Sequence, residues 1–269
     1  MANPLERSIQ RAEAANDNIG RIFTYLGSGN PNGIVNRAYR NAYRGIDHGM
    51  SESDPLKAVR EVMDHLKLAL SALLLKLLRD AGEFGKDEAI KQLKDYQLTP
   101  PAKTSVNLSD ETDAALAAIL AVVEQQDLTI QALVLTGAGK DEILGTQRRA
   151  GALLASSVIA VAARWAASMV WTGFEEIVTP HQGVIQKMAV ATIDERTTEC
   201  CLEVHGQVQY LGAPFHLTGD PHFASEMEKP PFHWHCRTSV ALYDIGFDNG
   251  ITQSLRAAAL AVLERRHAN

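Results

Sequence analysis

The residues best able to do chemistry are concentrated in one short stretch. Five of the nine histidines and all three cysteines lie between Cys200 and Cys236. Thiolate and imidazole are the ligands that Zn²⁺ prefers, and they usually arrive as close pairs from separate segments. The candidate pairs are Cys201 with His205, one helical turn apart, and His233 with Cys236. These four residues are the predicted zinc ligands; the alternative is a metal-free set of buried, hydrogen-bonded side chains.

A second polar cluster comes just before the first cysteine. Asp194, Arg196 and Thr197 are residue types that fix turns and helix starts by bonding to nearby backbone, and Arg196 is expected to pair with Asp194 or Glu199. A general base here would need a cleft and a perturbed pKa, which no sequence displays. No catalytic residue is therefore assigned, and one of the adjacent cysteines, Cys200 or Cys201, is expected to be a packing residue.

The segments that must position these residues are mostly helical by their apolar spacing. Predicted helices cover residues 5–27, 34–47, 54–82, 86–96, 109–134, 140–178 and 251–266. Asp54 is the expected cap and Pro55 the expected first-turn residue of the third of these helices. After Gly183 the sequence predicts a strand and then a turn-rich stretch. The predicted fold class is mainly α, with long N-terminal helices followed by a small α+β, turn-rich C-terminal module and a terminal helix.

Composition shifts along the chain predict its organisation. Two adjacent prolines, Pro100 and Pro101, in a polar run mark the best linker. The predicted divisions are an N-terminal helical region 1–97, a linker 98–109, a second helical region 110–182, a C-terminal module 183–248 and a C-terminal helix 249–269.

Arginines and tyrosines recur every three or four residues in the second predicted helix. They are Arg37, Tyr39, Arg40, Tyr43 and Arg44. Arginines can contact phosphates while tyrosines stack on bases, which would make this a nucleic-acid surface. The interpretation favoured by the pattern is a solvated helix face with its tyrosines packed inward.

Composition and motifs exclude several classes of protein. A net charge of −6 argues against a chain dominated by nucleic-acid binding, and three cysteines are too few for a secreted disulfide scaffold. The phosphate-loop, zinc-peptidase and nucleophile-elbow motifs are absent. The N-terminus lacks the apolar core of a signal peptide. The most membrane-like stretch, residues 150–174, contains Arg164 and many small residues, which favours close helix packing over insertion.

The order of residues in the Cys/His-rich region resembles one known family. D-x-R-T, a Cys four residues after the Thr, a Gly, and a proline-containing stretch ending in H-x-x-C-R are similar to the Mu F-like phage head morphogenesis (minor head protein) domain. The matching positions are Asp194, Arg196, Thr197, Cys201, Gly206, Pro230, Pro231, His233, Cys236 and Arg237. Relatives often carry a further Cys where this chain has Thr238, and His205 is the residue that would replace it as a ligand.

The resemblance implies a structural component of the virion, made in the host cytoplasm and built into the phage head. Its implied partners are the portal and capsid proteins, with packaged DNA as a further partner, and several copies are implied per head. It implies no catalytic turnover. Two other functions remain open at this point: a zinc-dependent hydrolase or nuclease using the C-terminal module, and a membrane-acting ejection protein using residues 150–174.

Overall fold

The computed structural model describes residues 3–27, 30–102, 109–221 and 223–268, excluding the side chains of residues 109–111, 147 and 149–154. The helices are α1 (Pro4–Leu26), α2 (Ile34–Gly49), α3 (Pro55–Asp95), α4 (Ser109–Leu135), α5 (Lys140–Val178), α6 (Glu199–Val204) and α7 (Ile251–His267). The strands are β1 (Gln186–Ala191), β2 (Val208–Tyr210), β3 (Phe215–His216), β4 (Glu226–Met227) and β5 (Thr238–Tyr243). The mainly α class, with a small sheet between long helices and a terminal helix, is confirmed.

Local signals placed the start of α3 correctly but not its end. The side chain of Asp54 accepts a hydrogen bond from the backbone N–H of Lys57 at 3.1 Å, as a helix cap should. The predicted stop at Gly82 and the separate helix 86–96 are wrong, because α3 continues without a break to Asp95.

Gly82 and Gly85, in the C-terminal half of α3, lie against α5 and do not end the helix. A Cβ added at Gly85 would overlap the carbonyl oxygen of Val170 in α5, and one added at Gly173 of α5 would overlap the carbonyl oxygen of Gly82. Glycine costs about 1 kcal/mol in a helix interior, and close packing of the two backbones outweighs that cost here. The expected close helix packing of the small-residue stretch is confirmed at these positions.

The chain divides into two compact units, each built from separate segments. The first unit comprises Met1–Gly20, Asp80–Leu108 and Ala166–Asn269, and the second comprises Arg21–Arg79 and Ser109–Trp165. The boundaries fall inside α1, α3 and α5, so the linear succession of regions expected from the sequence does not coincide with these units. Residues 103–108 of the expected linker lie outside the described residues.

The first unit contains a three-stranded antiparallel sheet in the order β2-β1-β5. In the register of β1 with β5, Ala191 lies opposite Thr238 and Gln186 opposite Tyr243. Apolar residues of α1 and of both strands form its core, namely Leu5, Ile9, Ala12, Met188, Val190, Ala241 and Tyr243. The strand predicted after Gly183 is confirmed as β1, at the centre of this sheet.

Side chains at the end of α3 and just after it bond to the outer edge of β5. The amide oxygen of Gln92 accepts from the backbone N–H of Leu242 at 2.8 Å, and the hydroxyl of Tyr96 donates to the carbonyl of Leu242 at 2.8 Å. An edge strand would otherwise present unpaired backbone groups. The position of β5, which begins directly after the Cys/His-rich stretch, is thus fixed from both sides.

In the part of the chain that the structure describes, two helical segments are long and apolar enough to cross a membrane by length and composition. They are Thr112–Leu135, whose apolar window is 28% buried, and Ala155–His181, whose window is 61% buried. Core helices of soluble proteins meet the same criterion. Burial of Trp171, Phe174 and Ile177 shows that the second segment supplies core residues.

The close approach at Gly85 predicts an asymmetric response to alanine. Gly85→Ala should destabilise the protein by about 1–3 kcal/mol, because the new methyl group meets backbone that cannot move aside cheaply. Gly20→Ala, at a helical glycine with nothing within 4 Å of the added Cβ, should be neutral or stabilise by up to about 1 kcal/mol. Urea unfolding followed by circular dichroism measures both; equal effects of the two substitutions would contradict the helix contact.

Candidate metal centre

The sheet brings the two halves of the Cys/His-rich region to the same place. β1 ends at Ala191, opposite Thr238 at the start of β5, so the chain leaving β1 and the chain entering β5 run side by side. The backbone N–H of Thr192 continues the ladder by donating to the carbonyl of Arg237 at 3.0 Å. The residues just after β1 and just before β5 are therefore neighbours, although more than 30 positions separate them.

Asp194 and Arg237 form a bidentate ion pair across this junction. Each carboxylate oxygen of Asp194 accepts from one terminal nitrogen of the guanidinium at 2.7 Å. Asp194 also accepts from the backbone N–H of Arg196 at 2.8 Å. The hydrogen bonds from Arg237 hold the pKa of this carboxyl well below its usual range, with the Arg196 backbone N–H acting in the same direction against the effect of burial.

Arg196 contributes little to this pair. Its side chain is 85% exposed and its guanidinium lies 3.9 Å from Asp194. The expected pairing of Arg196 with Asp194 is therefore present, but Arg237 is the principal partner. The sequence did not reveal this, because the two residues lie 43 positions apart.

Thr197 and α7 hold the turn that carries Asp194. The Thr197 hydroxyl donates to the carbonyl of Thr192 at 2.5 Å and lies 3.2 Å from Asp194 Oδ1. Arg266 of α7 donates to the carbonyl of Thr197 at 2.6 Å and to that of Asp194 at 3.0 Å. The backbone of the turn is thus tied to a helix from the far end of the chain.

Gly206 lies where only glycine fits without strain. Its φ is +74°, and its backbone N–H donates to the carbonyl of Ala189 in β1 at 2.8 Å. An added Cβ would also come within 3.2 Å of the Arg256 side chain in α7. This residue lets the chain leave α6 and turn into β2.

Three cysteines and one histidine meet beside the ion pair. Cys201 Sγ lies 3.1 Å from His233 Nε2 and 3.8 Å from Cys236 Sγ. The thiols of Cys200 and Cys201 and a ring nitrogen of His233 lie within 4.8 Å of one another. All three cysteines are at most 2% exposed and His233 is 7% exposed. In this Cys/His cluster, the buried side chains of Cys200, Cys201 and His233 could hold a metal ion.

The orientation of His233 suits a metal ligand. Its Nδ1–H donates to the backbone carbonyl of Trp234 at 2.6 Å, which leaves Nε2 facing Cys201 and the Thr198 hydroxyl. Metal-binding histidines typically donate their other ring N–H to such a carbonyl, because this fixes the tautomer and the ring plane.

The thiols perturb one another strongly. Hydrogen bonding with Cys201 lowers the pKa of Cys200 to about 6 despite burial. Burial alone would raise the pKa of Cys236, but hydrogen bonds from Cys201 and His233 bring it well below its usual value. Hydrogen bonds to Cys200 and Cys236, together with burial, raise the pKa of Cys201. The cluster therefore favours thiolates at Cys200 and Cys236 in a buried place, and a cation is the natural counter-charge.

His205 lies apart from the cluster, contrary to its prediction as a ligand. Helix α6 ends at Val204, and His205 has extended backbone, so the one-turn step from Cys201 is not made. Its Nδ1 instead accepts from the backbone N–H of Ala191 at 2.9 Å, and burial lowers its pKa to about 4. Cys200, one of the two cysteines between which the packing role was left open, takes its place in the cluster.

Among the described residues, the other histidines of the stretch are not part of the cluster. His216 pairs with Glu226 at 3.1 Å on the exposed hairpin of β3 and β4. His235 follows Trp234 in the turn before β5, with a φ of +60°. His222 lies outside the described residues.

The geometry of the ion pair predicts which substitution matters. Asp194→Asn should cost about 1–2 kcal/mol of unfolding free energy, since one-third exposure of the carboxylate moderates a bidentate, charge-assisted contact. Arg196→Gln, at the exposed guanidinium beside the same carboxylate, should change stability by less than about 0.5 kcal/mol.

Acid should erase the difference between wild type and Asp194→Asn. Because the pKa of Asp194 is depressed in the folded state, the pair stabilises the protein above the ordinary carboxyl pKa of about 4 and is lost as falling pH protonates the group. Urea titrations from pH 7 downward measure this; a difference that persists unchanged in acid would contradict the role of the pair.

Comparisons with known proteins provide no evidence about the function of this chain. No family model, no curated protein and no solved structure matches this chain. The function considered next is therefore supported by the residues of the module and their arrangement.

Proposed function

We propose that this chain is a phage minor head protein, a structural component of the virion whose C-terminal module holds it in shape during head assembly. The observation that carries the proposal is the contact between the two halves of the sequence pattern. Asp194 of the D-x-R-T half and Arg237 of the H-x-x-C-R half bond at 2.7 Å through both oxygens. Because its two halves bond to each other, the sequence pattern is best explained as one structural unit.

The remaining members of the pattern support the same function. Thr197 and Gly206 fix the turn and the exit from α6, while Cys201, His233 and Cys236 form the buried core of the junction. Each has a role in shape, and the thiols are shielded from solvent. A module built in this way suits a protein that binds portal and capsid partners in several copies.

We infer that the cluster binds one Zn²⁺, with Cys200, Cys201, His233 and Cys236 as its ligands. Thiolate and imidazole are the donors that zinc prefers, and four protein ligands close a structural site. The lowered pKa values of Cys200 and Cys236 favour their thiolates, and a bound zinc would supply the positive charge that neutralises them. It would also link α6 to the turn before β5.

A zinc hydrolase or nuclease is less well supported by this arrangement. A catalytic zinc keeps one position open for water and has a base nearby. Here the four candidate ligands are all buried, and the carboxylate of Asp194 is bonded to Arg237. The site fits a closed structural ion.

Analysis of phage particles tests the head assignment. Quantitative mass spectrometry of purified immature and mature heads should find this chain in several copies per particle. Absence of the chain from both kinds of particle would overturn the proposal. Heads assembled with Asp194→Asn should contain fewer copies than heads assembled with Arg196→Gln, if the closed module is what the assembly needs.

Metal analysis tests the zinc site separately. The purified chain should contain about one zinc ion, and Cys201→Ser or Cys236→Ser should remove it. His205→Asn, whose side-chain carbonyl can still accept from the Ala191 N–H, should retain it. Elemental mass spectrometry with circular dichroism distinguishes metal loss from unfolding. A folded, zinc-free wild type or a folded, zinc-free His205→Asn variant would contradict this ligand set.

A further inference from the structure

A cationic face runs along α2 in the second unit. Arg37, Arg40 and Arg44 are all exposed, as are Asn41 and His48. At 100° per residue these five positions fall within about 100° of the helix circumference. We call this set the α2 face. It gathers three positive charges on one short helix of a chain whose net charge is −6.

The arginines of the α2 face are not neutralised within the described structure. No described carboxylate forms an ion pair with Arg37, Arg40 or Arg44, and the one side-chain bond recorded for them runs from Arg40 to the carbonyl of Pro31. The neighbouring acids contact other residues than these arginines: Asp47 pairs with Lys140 at 2.9 Å, and Glu52 lies 3.4 Å from His48 at the end of the face.

Arginines of the first unit are used differently. Arg7 and Arg11 both pair with Asp95, and Arg237 pairs with Asp194. These three guanidinium groups are held by carboxylates, whereas Arg37 and Arg44 have no described carboxylate or carbonyl partner. The open guanidinium groups of Arg37 and Arg44 therefore indicate a negatively charged partner outside the chain.

The tyrosines of the same helix narrow the class of partner. Tyr39 is buried at 6% exposure, as the sequence pattern favoured. The ring of Tyr43 is covered by the guanidinium of Arg148, whose centre lies 5.5 Å from the ring centroid and whose Nη2 donates to the Tyr43 hydroxyl at 2.9 Å. With Tyr39 buried and a guanidinium over the Tyr43 ring, recognition of single-stranded nucleic acid by stacking on these rings is disfavoured. Arg148 instead adds a fourth cation beside the face.

We propose that the α2 face binds the phosphate backbone of double-stranded DNA without reading its sequence. Arg37 and Arg44 are separated by about 10.5 Å along the helix axis. One strand of a duplex advances about 3.4 Å along the duplex axis per phosphate, so this length corresponds to about three phosphate-to-phosphate steps measured along that axis. Guanidinium groups form bidentate contacts to phosphate, and such contacts carry no base specificity. This inference is independent of the head assignment and of zinc binding.

The test is the salt dependence of DNA binding by the full chain. Fluorescence anisotropy with a short labelled duplex should show binding at about 50 mM salt that weakens steeply as salt is added. The triple variant Arg37→Gln, Arg40→Gln, Arg44→Gln should bind at least about tenfold more weakly there, and its slope of log K against log salt should be smaller by about 2 to 3.

A charge-matched control separates the face from net charge. Lys91→Gln, Lys94→Gln, Arg265→Gln removes three exposed cations from other elements and should leave affinity and slope close to wild type. No binding by the wild type, or equal losses in the two triple variants, would overturn the proposal. So would tighter binding to single strands than to duplex, or equal competition by polyglutamate, because these results would assign the face to stacking or to an acidic protein.

Discussion

The bidentate pair between Asp194 and Arg237 is the contact on which the C-terminal module depends. It joins the residues that leave β1 to the residue that enters β5, at the point where these strands are already paired. Its geometry orients the turn whose carbonyls accept from Arg266, and that turn leads directly into α6. The positions of Cys200 and Cys201 relative to His233 therefore follow from an ion pair that includes none of them.

The Cys/His cluster is buried, where a thiolate without a partner is energetically unfavourable. Buried thiolates cost free energy unless hydrogen bonds or a cation compensate, and at Cys236 hydrogen bonds from Cys201 and His233 oppose the effect of burial. His233 is held beside the thiols by two contacts. Its Nδ1–H donates to the Trp234 carbonyl, and its Nε2 faces Cys201. The contacts with Cys236 raise the pKa of His233, although burial acts to lower it. Such an arrangement is easier to explain as a ligand set than as inert packing.

Local signals in the sequence were sufficient for the fold class and insufficient for the site. Helix periodicity, the Asp54 cap and the strand after Gly183 depend on neighbouring residues, so they could be predicted. The continuity of α3 through Gly85 depends on the backbone of α5, which no local rule contains. His205 was assigned by helical spacing, and the assignment failed because α6 stops one residue earlier. Asp194 and Arg237 meet because of the β1–β5 register, which could not be predicted from the sequence.

Arginine has two distinct uses in this chain, and the difference is electrostatic. Where a carboxylate holds a guanidinium, as at Arg237, the opposite charge neutralises it. The pair stabilises the fold and produces little electrostatic field in the surrounding solvent. Where a guanidinium projects from a helix with no described carboxylate partner, as Arg37 and Arg44 do, its field extends into solvent for about one Debye length. A chain with net negative charge can therefore still present a local cationic surface, because binding of a polyanion depends on where the charges lie and not on their sum. The same reasoning explains why composition alone argued against nucleic acid while one helix argues for it.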